Sequence, residues 1–314
     1  MSEVGHPVNP LDFRALDFDR LWNGREKTTE VERRVVQESL RDCDLRRILE
    51  VGPGGGRIAT TLLATGEEFV GVDVTLEFLV RLRARWRQEG TWVAADTVRL
   101  PLESGSFSVA VLVRVYNFLT DPTASLRELF RVLVPGGRLV VSYFSEPSVA
   151  SALDDLGRRL RGSSPSQTPP RSPEPYRPAL PTRERFRATV EAVGFLWGRE
   201  YSVGLEDLRL LRWLPTDLFL SLARTFGAAG ALPHHFVLLR KPGEPPARLP
   251  PIESIVLCPE CRSPVAGLGT GTFQGSSCPD CGRHLPVVEG VPDLRPFWAR
   301  GAEPGSEAVR VLAP

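Results

Sequence analysis

Lysine is nearly missing from this sequence: Lys27 and Lys241 are the only two among 39 basic residues, and the others are arginine. That skew reflects coding composition before function. Neither charge sign is in excess, since 39 basic residues face 38 acidic ones and the net charge is +1. No overall field exists to gather nucleic acid or anionic membrane over the whole surface. No apolar run approaches the ~20 residues needed to cross a bilayer. The N-terminus, MSEVGHPVNPLDFRALDFDR, lacks the charged-then-apolar pattern of a secretory signal. A cytoplasmic protein with no membrane insertion is the expectation. Five cysteines in 314 residues are too few for a disulfide scaffold, and four of them fall in two CxxC pairs, which points to metal. What is present is ordinary globular material, 42% hydrophobic and 25% charged, enough for one large domain and a small one or for two medium ones.

Hydrophobic patterning divides the chain. Residues 1–46 are polar with helical spacing, and 28–41 reads as an amphipathic helix. From 47 the pattern alternates: strands at 48–51, 69–74, 91–95, 108–113 and 138–144, with helices at 58–63, 76–87 and 125–134 between them. Such alternation predicts an α/β fold, a doubly wound parallel sheet. Residues 146–181 interrupt it, with seven prolines in 162–181, as an insertion or lid. A helix over 182–193 follows, with Thr182 as N-cap and Gly194 as stop. Segments 195–203 and 235–239 then form a closing strand pair, and 205–226 between them reads as helical. The proline-rich stretch 242–251 is a linker, 252–297 a small module and 298–314 a polar tail.

The run Glu50-Val-Gly52-Pro-Gly54-Gly-Gly56 follows the first strand and opens a helix. Glycines there permit positive φ and let a ligand approach the backbone, where helix-terminal amides add donors. A dinucleotide fingerprint would need glycine or alanine at 57, where Arg57 stands, so the run fits E-x-G-x-G-x-G instead. Asp73 ends the second strand, 21 residues after Gly52, where a carboxylate can bridge two ribose hydroxyls. The plain alternative is a tight turn with Asp73 capping a helix; the order of loop, strand and acid favours the ligand.

Taken together, ILEVGPGGGRIAT, FVGVDVTLEFL, AADTVRLPLESGSFSVAVL, VYNFLTDP, LRELFRVLVPGGRLVVSYF and FRATVEAVGF resemble the class I S-adenosylmethionine-dependent methyltransferases, in particular those similar to ubiquinone/menaquinone-biosynthesis enzymes. The resemblance implies a Rossmann-like seven-stranded sheet over 47–241. It also implies roles. Glu50, Gly52, Gly54 and Gly56 would line the methionine part of the cofactor, Asp73 the ribose, Leu76 and Asp96 the adenosine. Residues 115–117, Val115 first, would lie beside the methyl group. Ser108 stands where the family often has aspartate, and Asn117 near where it often has histidine. Neither change removes a cofactor carboxylate.

Methyl transfer from a sulfonium is an in-line displacement with an excellent leaving group, so proximity and desolvation carry most of it. A base is needed only if the acceptor must lose a proton. Candidates are Tyr116 and Asn117 by position and His234 and His235 by chemistry, although the two histidines read more simply as residues leading into an edge strand. The expected acceptor is a small molecule, with an RNA base or a non-catalytic, cofactor-binding scaffold as alternatives.

Cys258-Pro-Glu-Cys261 and Cys278-Pro-Asp-Cys281 stand sixteen residues apart, the spacing of a zinc ribbon, and would hold one structural Zn2+ in a closed four-thiolate site. His284 is then a surface residue and Cys43 a buried or incidental thiol. The context is similar to the small zinc-ribbon proteins that activate methyltransferases. Its acids, Glu260, Asp280, Glu289 and Asp293 among them, outnumber Arg262, Arg283 and Arg295, which disfavours phosphate contact. The ribbon is expected to dock on its own catalytic domain or on a protein partner.

Overall fold

The computed structural model describes residues 22–86, 89–145, 180–204, 213–229, 232–268 and 277–296. The expected lid, the tail, the first 21 residues and the reading of 205–212 as helix lie outside them.

Helix α1 (Glu26–Leu40) precedes the sheet and buries Val31, Val35, Val36 and Leu40, the apolar stripe that its spacing announced. Strands β1 (Arg47–Val51), β2 (Glu68–Asp73), β3 (Thr91–Ala94), β4 (Phe107–Leu112) and β5 (Leu133–Phe144) are mutually parallel. Between them run α2 (Ala59–Leu63), α3 (Leu76–Arg85) and α4 (Pro122–Val132). Then come α5 (Arg183–Val193), β6 (Leu196–Val203), α6 (Thr216–Ala229) and β7 (His234–Arg240). The order across the seven-stranded sheet is β3-β2-β1-β4-β5-β7-β6, with β7 antiparallel to both its neighbours. Strands buried on both faces read as near-continuous apolar runs, and β1 and β4 are buried along their whole length, with Arg47, Glu50 and Ser108 as the polar exceptions.

Capping follows the sequence signals. Thr182 Oγ1 accepts the N–H of Arg185, and Gly194 closes α5 at φ 108°. Strand β5 starts earlier than expected, at Leu133, because the register shift opposite residues 107–109 absorbs Pro135-Gly136-Gly137 as an irregularity. The expected closing pair forms, but the histidines do not lead into an edge. Strand β7 lies inside the sheet between β5 and β6, so His234 and His235 are 2% and 0% exposed. Among the described residues no helix is long and apolar enough to cross a membrane.

The module after 252 packs against the sheet. Val256 bridges Leu102, with Glu103 N–H donating to Ile255 O and Leu257 N–H to Pro101 O. Further on, the hairpin β8 (Val287–Val288) and β9 (Val291–Pro292) leads to Asp293, which pairs in parallel with Ala94 at the end of β3. Ile255, Val256, Val265, Leu285 and Leu294 share one hydrophobic cluster with Val72, Val93 and Leu102. The stretch 242–251 is tied down as well: Arg46 donates to Pro246 O and Ala247 O, and Arg47 to Pro250 O.

Candidate functional site

All five parallel strands present their carboxyl ends on one side, where open α/β sheets bind ligands. The glycine loop leaves β1 there, with Gly52, Gly54 and Gly56 at φ 71°, 54° and 80°. Those values are cheap only for glycine. A Cβ at Gly52 would overlap Cγ2 of Val115, so the residue lets the loop after β4 cross the glycine loop closely. Gly52 N–H donates to Val72 O, which fixes the loop against β2.

Asp73 ends β2 with both carboxylate oxygens in use but unsaturated. Oδ1 accepts the N–H of Thr75 at 2.8 Å and Oδ2 that of Gly54 at 3.3 Å. Burial pushes its pKa up to about 6 despite these bonds. Glu50, on β1, is 3% exposed, and its Oε2 has no hydrogen-bond partner among the described residues. Burial pushes Glu50 up to about 8. A buried carboxyl oxygen left unpaired beside the glycine loop suits a cationic, hydrogen-bonding group, as the amino end of S-adenosylmethionine is. Asp96, beyond β3, caps a short 3₁₀ turn through the N–H of Val98, and Leu76 opens α3 half-buried. Glu50, Gly52, Gly54, Gly56, Asp73, Leu76, Asp96 and Val115 thus meet along the same side of the sheet.

Tyr116 and Asn117 are engaged differently from the sequence expectation. Tyr116 turns into the core, edge-on to Phe186 at 4.8 Å, and burial pushes its phenol up to about 12, too high for a base at neutral pH. Asn117 clamps the end of β5: its Nδ2 donates to Phe144 O at 3.1 Å and its Oδ1 accepts Phe144 N–H at 2.7 Å. His235 is held between Ser145 Oγ at 2.8 Å and Ser202 Oγ at 3.1 Å. His234 belongs to a second cluster, which sequence spacing did not reveal: Glu32, Arg57 and Arg114 with Trp22 and Phe144. The one sequence hint was Arg57 itself, in the place where a dinucleotide fingerprint needs a small residue.

The four paired cysteines converge. Their sulfurs all lie within 4.8 Å of one another, with Cys258–Cys281 and Cys261–Cys278 at 3.7 Å. A tetrahedral ion with 2.3 Å bonds to sulfur sets its ligands about 3.8 Å apart, so the set fits such a metal. The two knuckles repeat each other. Arg262 N–H donates to Cys258 O at φ 66°, and Gly282 N–H to Cys278 O at φ 72°. Arg262 holds a glycine's conformation, and its side chain donates to Leu100 O of the main domain at 2.8 Å. His284 is exposed and outside the cluster, and Cys43 is half-buried, with Sγ against Ser39 O.

The fold and this strand-end site define a nucleoside-cofactor-binding α/β enzyme. Residues 49–141 match the family described as "Methyltransferase domain". A demethylmenaquinone methyltransferase of Thermus thermophilus is 31% identical over 180 residues, covering 52% of this chain and 80% of that protein. The enzyme of the same name from Beutenbergia cavernae is 32% identical, over 43% of this chain and 52% of its own length. The chain therefore spans about half the length of several curated relatives that it matches. Among solved structures, a Thermotoga maritima protein described as an S-adenosylmethionine-dependent methyltransferase, possibly acting on histamine, superposes with a TM-score of 0.50. It is 17% identical, with 72% of this chain and 95% of that one covered, a likeness of fold. The chain belongs to the S-adenosylmethionine-dependent methyltransferases.

Proposed function

We propose that the chain methylates a small molecule, a hydroquinone-like acceptor that yields a proton on reaction, and that its zinc ribbon is structural. The unpaired, buried Glu50 beside the glycine loop and Asp73 is the observation that carries the cofactor half of this reading. Bound there, S-adenosylmethionine supplies an activated methyl group. Glu50 receives the amino end, the loop amides and glycines flank the methionine chain, and Asp73 takes the ribose hydroxyls. Leu76 and Asp96 border the adenine. Val115, laid over Gly52, closes the space towards the acceptor.

The acceptor half draws on the curated relatives, named for a demethylated quinone as acceptor. The near-neutral charge speaks against RNA, whose phosphates need a basic surface. Cys258, Cys261, Cys278 and Cys281 would bind Zn2+ with no open position, leaving the ion no catalytic role. The test is transfer of labelled methyl from S-adenosylmethionine to a 1,4-naphthohydroquinone lacking a 2-methyl group, beside small-molecule, RNA and protein fractions of a cell extract. Label confined to the small molecules supports the reading; label in RNA replaces it.

A further inference from the structure

A serine, a histidine and a glutamate stand in line at the carboxyl end of β5. His235 Nε2 lies 2.8 Å from Ser145 Oγ, and its Nδ1 lies 3.2 Å from Glu200 Oε1 and 3.1 Å from Ser202 Oγ. Ser202 is directly opposite His235 across the β6–β7 ladder, and Glu200, two residues before it, faces the same side of the sheet. Arg183, the first residue of α5, forks onto the Glu200 carboxylate, with Nε 3.0 Å from Oε1 and Nη2 2.6 Å from Oε2. Ser145 and His235 are 5% and 0% exposed.

The donors set the direction of this line. Burial alone would push the Glu200 carboxyl up, but the bonds from His235 and Arg183 outweigh it and hold the group below its usual range. An ionised Glu200 can only accept. The proton of the ring therefore sits on Nδ1, shared with Glu200 and Ser202, and Nε2 keeps its lone pair. Ser145 then donates its hydroxyl proton to Nε2, the arrangement that activates a hydroxyl. The other groups around the ring add no competing charge. Tyr143 of β5 stacks on it at 4.9 Å, with its phenol pushed up by burial. His234, on the opposite face of β7, is held well below its ordinary pKa by burial and Arg114 and is neutral. Tyr116 lies edge-on to Tyr143 at 6.1 Å, and Glu184 and Arg185 at the start of α5 complete the charged groups about these phenols.

The line ends beside the loop that follows β4. Val115 of that loop overlies Gly52, and Asn117, two residues on, holds Phe144 through both its N–H and its carbonyl, with Ser145 the next residue. We infer that Ser145, His235 and Glu200 form a relay that removes the proton a hydroxylated acceptor yields on methylation, with Ser145 Oγ touching the acceptor, His235 the base behind it, and Glu200 with Arg183 positioning the ring. This relay rests on the small-molecule methyltransferase reading above and deepens it, since it assigns the acceptor a hydroxyl at the end of β5. Ser145 Oγ takes the proton of that hydroxyl and passes its own to His235 Nε2. An electron pair of the acceptor ring meanwhile takes the methyl carbon, whose bond to sulfur breaks with its pair left on sulfur. The methylated ring carbon then gives its hydrogen, as a proton, to the carbonyl oxygen so formed. One proton per methyl group stays on the relay until the product leaves. A nucleophile of acyl transfer is a poorer fit, because Ser145 N–H, which an oxyanion would need, is donated to Pro233 O at 2.9 Å.

Two measurements test the relay. Ring 15N spectra of the ligand-free full chain, with four histidines to assign, read the tautomer directly. Protonated Nδ1 and bare Nε2 on His235 support the relay, and an Nε2–H ring overturns it. Kinetics use S-adenosylmethionine and the 1,4-naphthohydroquinone of the preceding test. Ser145→Ala and His235→Gln are each expected to lower kcat about 100-fold at pH 7, with both KM values nearly unchanged. The double variant loses no more than either one, because the two act as a unit. The loss shrinks as pH climbs towards about 10, where a phenolic hydroxyl ionises unaided. A kcat within about twofold of wild type, a loss equal at every pH, or a rise in KM alone overturns the relay. Melting curves confirm that each variant is folded, and the tautomer measurement needs no variant. Wild-type protein that moves no methyl group to the hydroquinone refutes the acceptor reading itself, and the tautomer then decides the relay alone.

Discussion

Arg295 of the cysteine module donates from Nη1 to the carbonyl oxygen of Val74, at 3.0 Å across 221 residues of chain. Val74 sits between Asp73 and Thr75, the residue whose N–H holds the Asp73 carboxylate. Asp293 in turn grips Arg295 through two 2.8 Å bonds and pairs with Ala94 on β3. The module thus reaches the backbone on which the ribose-binding carboxylate would be aimed. Arg295→Ala is expected to weaken S-adenosylhomocysteine several-fold by calorimetry while metal content stays unchanged. Equal affinity in the two proteins would show that the strand end is rigid without it.

Asp73→Ala removes an anion that accepts two backbone N–H groups and would bind the ribose. A charge-assisted bond of this kind is worth about 1.5–3 kcal/mol, roughly a tenfold to hundredfold loss of affinity. Calorimetry with S-adenosylhomocysteine checks it, and full-strength binding would remove Asp73 from the site.

Cofactor affinity is expected to rise with pH between about 6 and 8. Burial holds the free protein's Glu50 protonated up to about 8, and a ligand ammonium needs the ionised form, so binding expels a proton. Titrations in buffers of different ionisation heat measure that proton, and Glu50→Gln removes the part of the dependence centred near 8, leaving that of Asp73 near 6. The sign for stability is opposite. The pKa is raised from 4.5 to about 8, so the folded state keeps a proton that the unfolded chain has lost. The ligand-free protein therefore loses stability from this group as pH climbs through that window.

Cys278→Ser should lose the metal, read by elemental analysis. A module of this size has too little core to stand without an ion. Because Leu285 and Leu294 share the main hydrophobic cluster, the melting temperature of the whole chain should fall and not that of the module alone. Full zinc content in the variant would remove Cys278 from the ligand set.

Sequence periodicity reported the five parallel strands, a closing strand pair, the capped helix at Thr182 and the cysteine knuckles, because each element is marked within one period or one turn; that the closing pair runs antiparallel came from the structure. It also singled out Glu50, the glycines and Asp73, since a strand, a tight loop and an acid at the next strand's end are adjacent in the fold whenever the sheet is parallel. Tyr116 and Asn117 were candidates by their position in the chain alone. Position in the chain named the right loop, but the packing of Phe186 and the end of β5 decided where their side chains went.

By itself, then, the sequence determined the doubly wound topology, the cofactor-side motif and the four-cysteine cluster, all set by spacings of a few residues. Tertiary structure alone decided that α1 brings Glu32 to Arg114 across 82 residues, that β7 carries both histidines into the sheet interior, and that Arg262 and Arg295 fasten the module to the main domain. The reason is physical. These contacts join groups that no local period marks and that meet only once the sheet has formed, and burial supplies the low dielectric in which such polar pairings are strong.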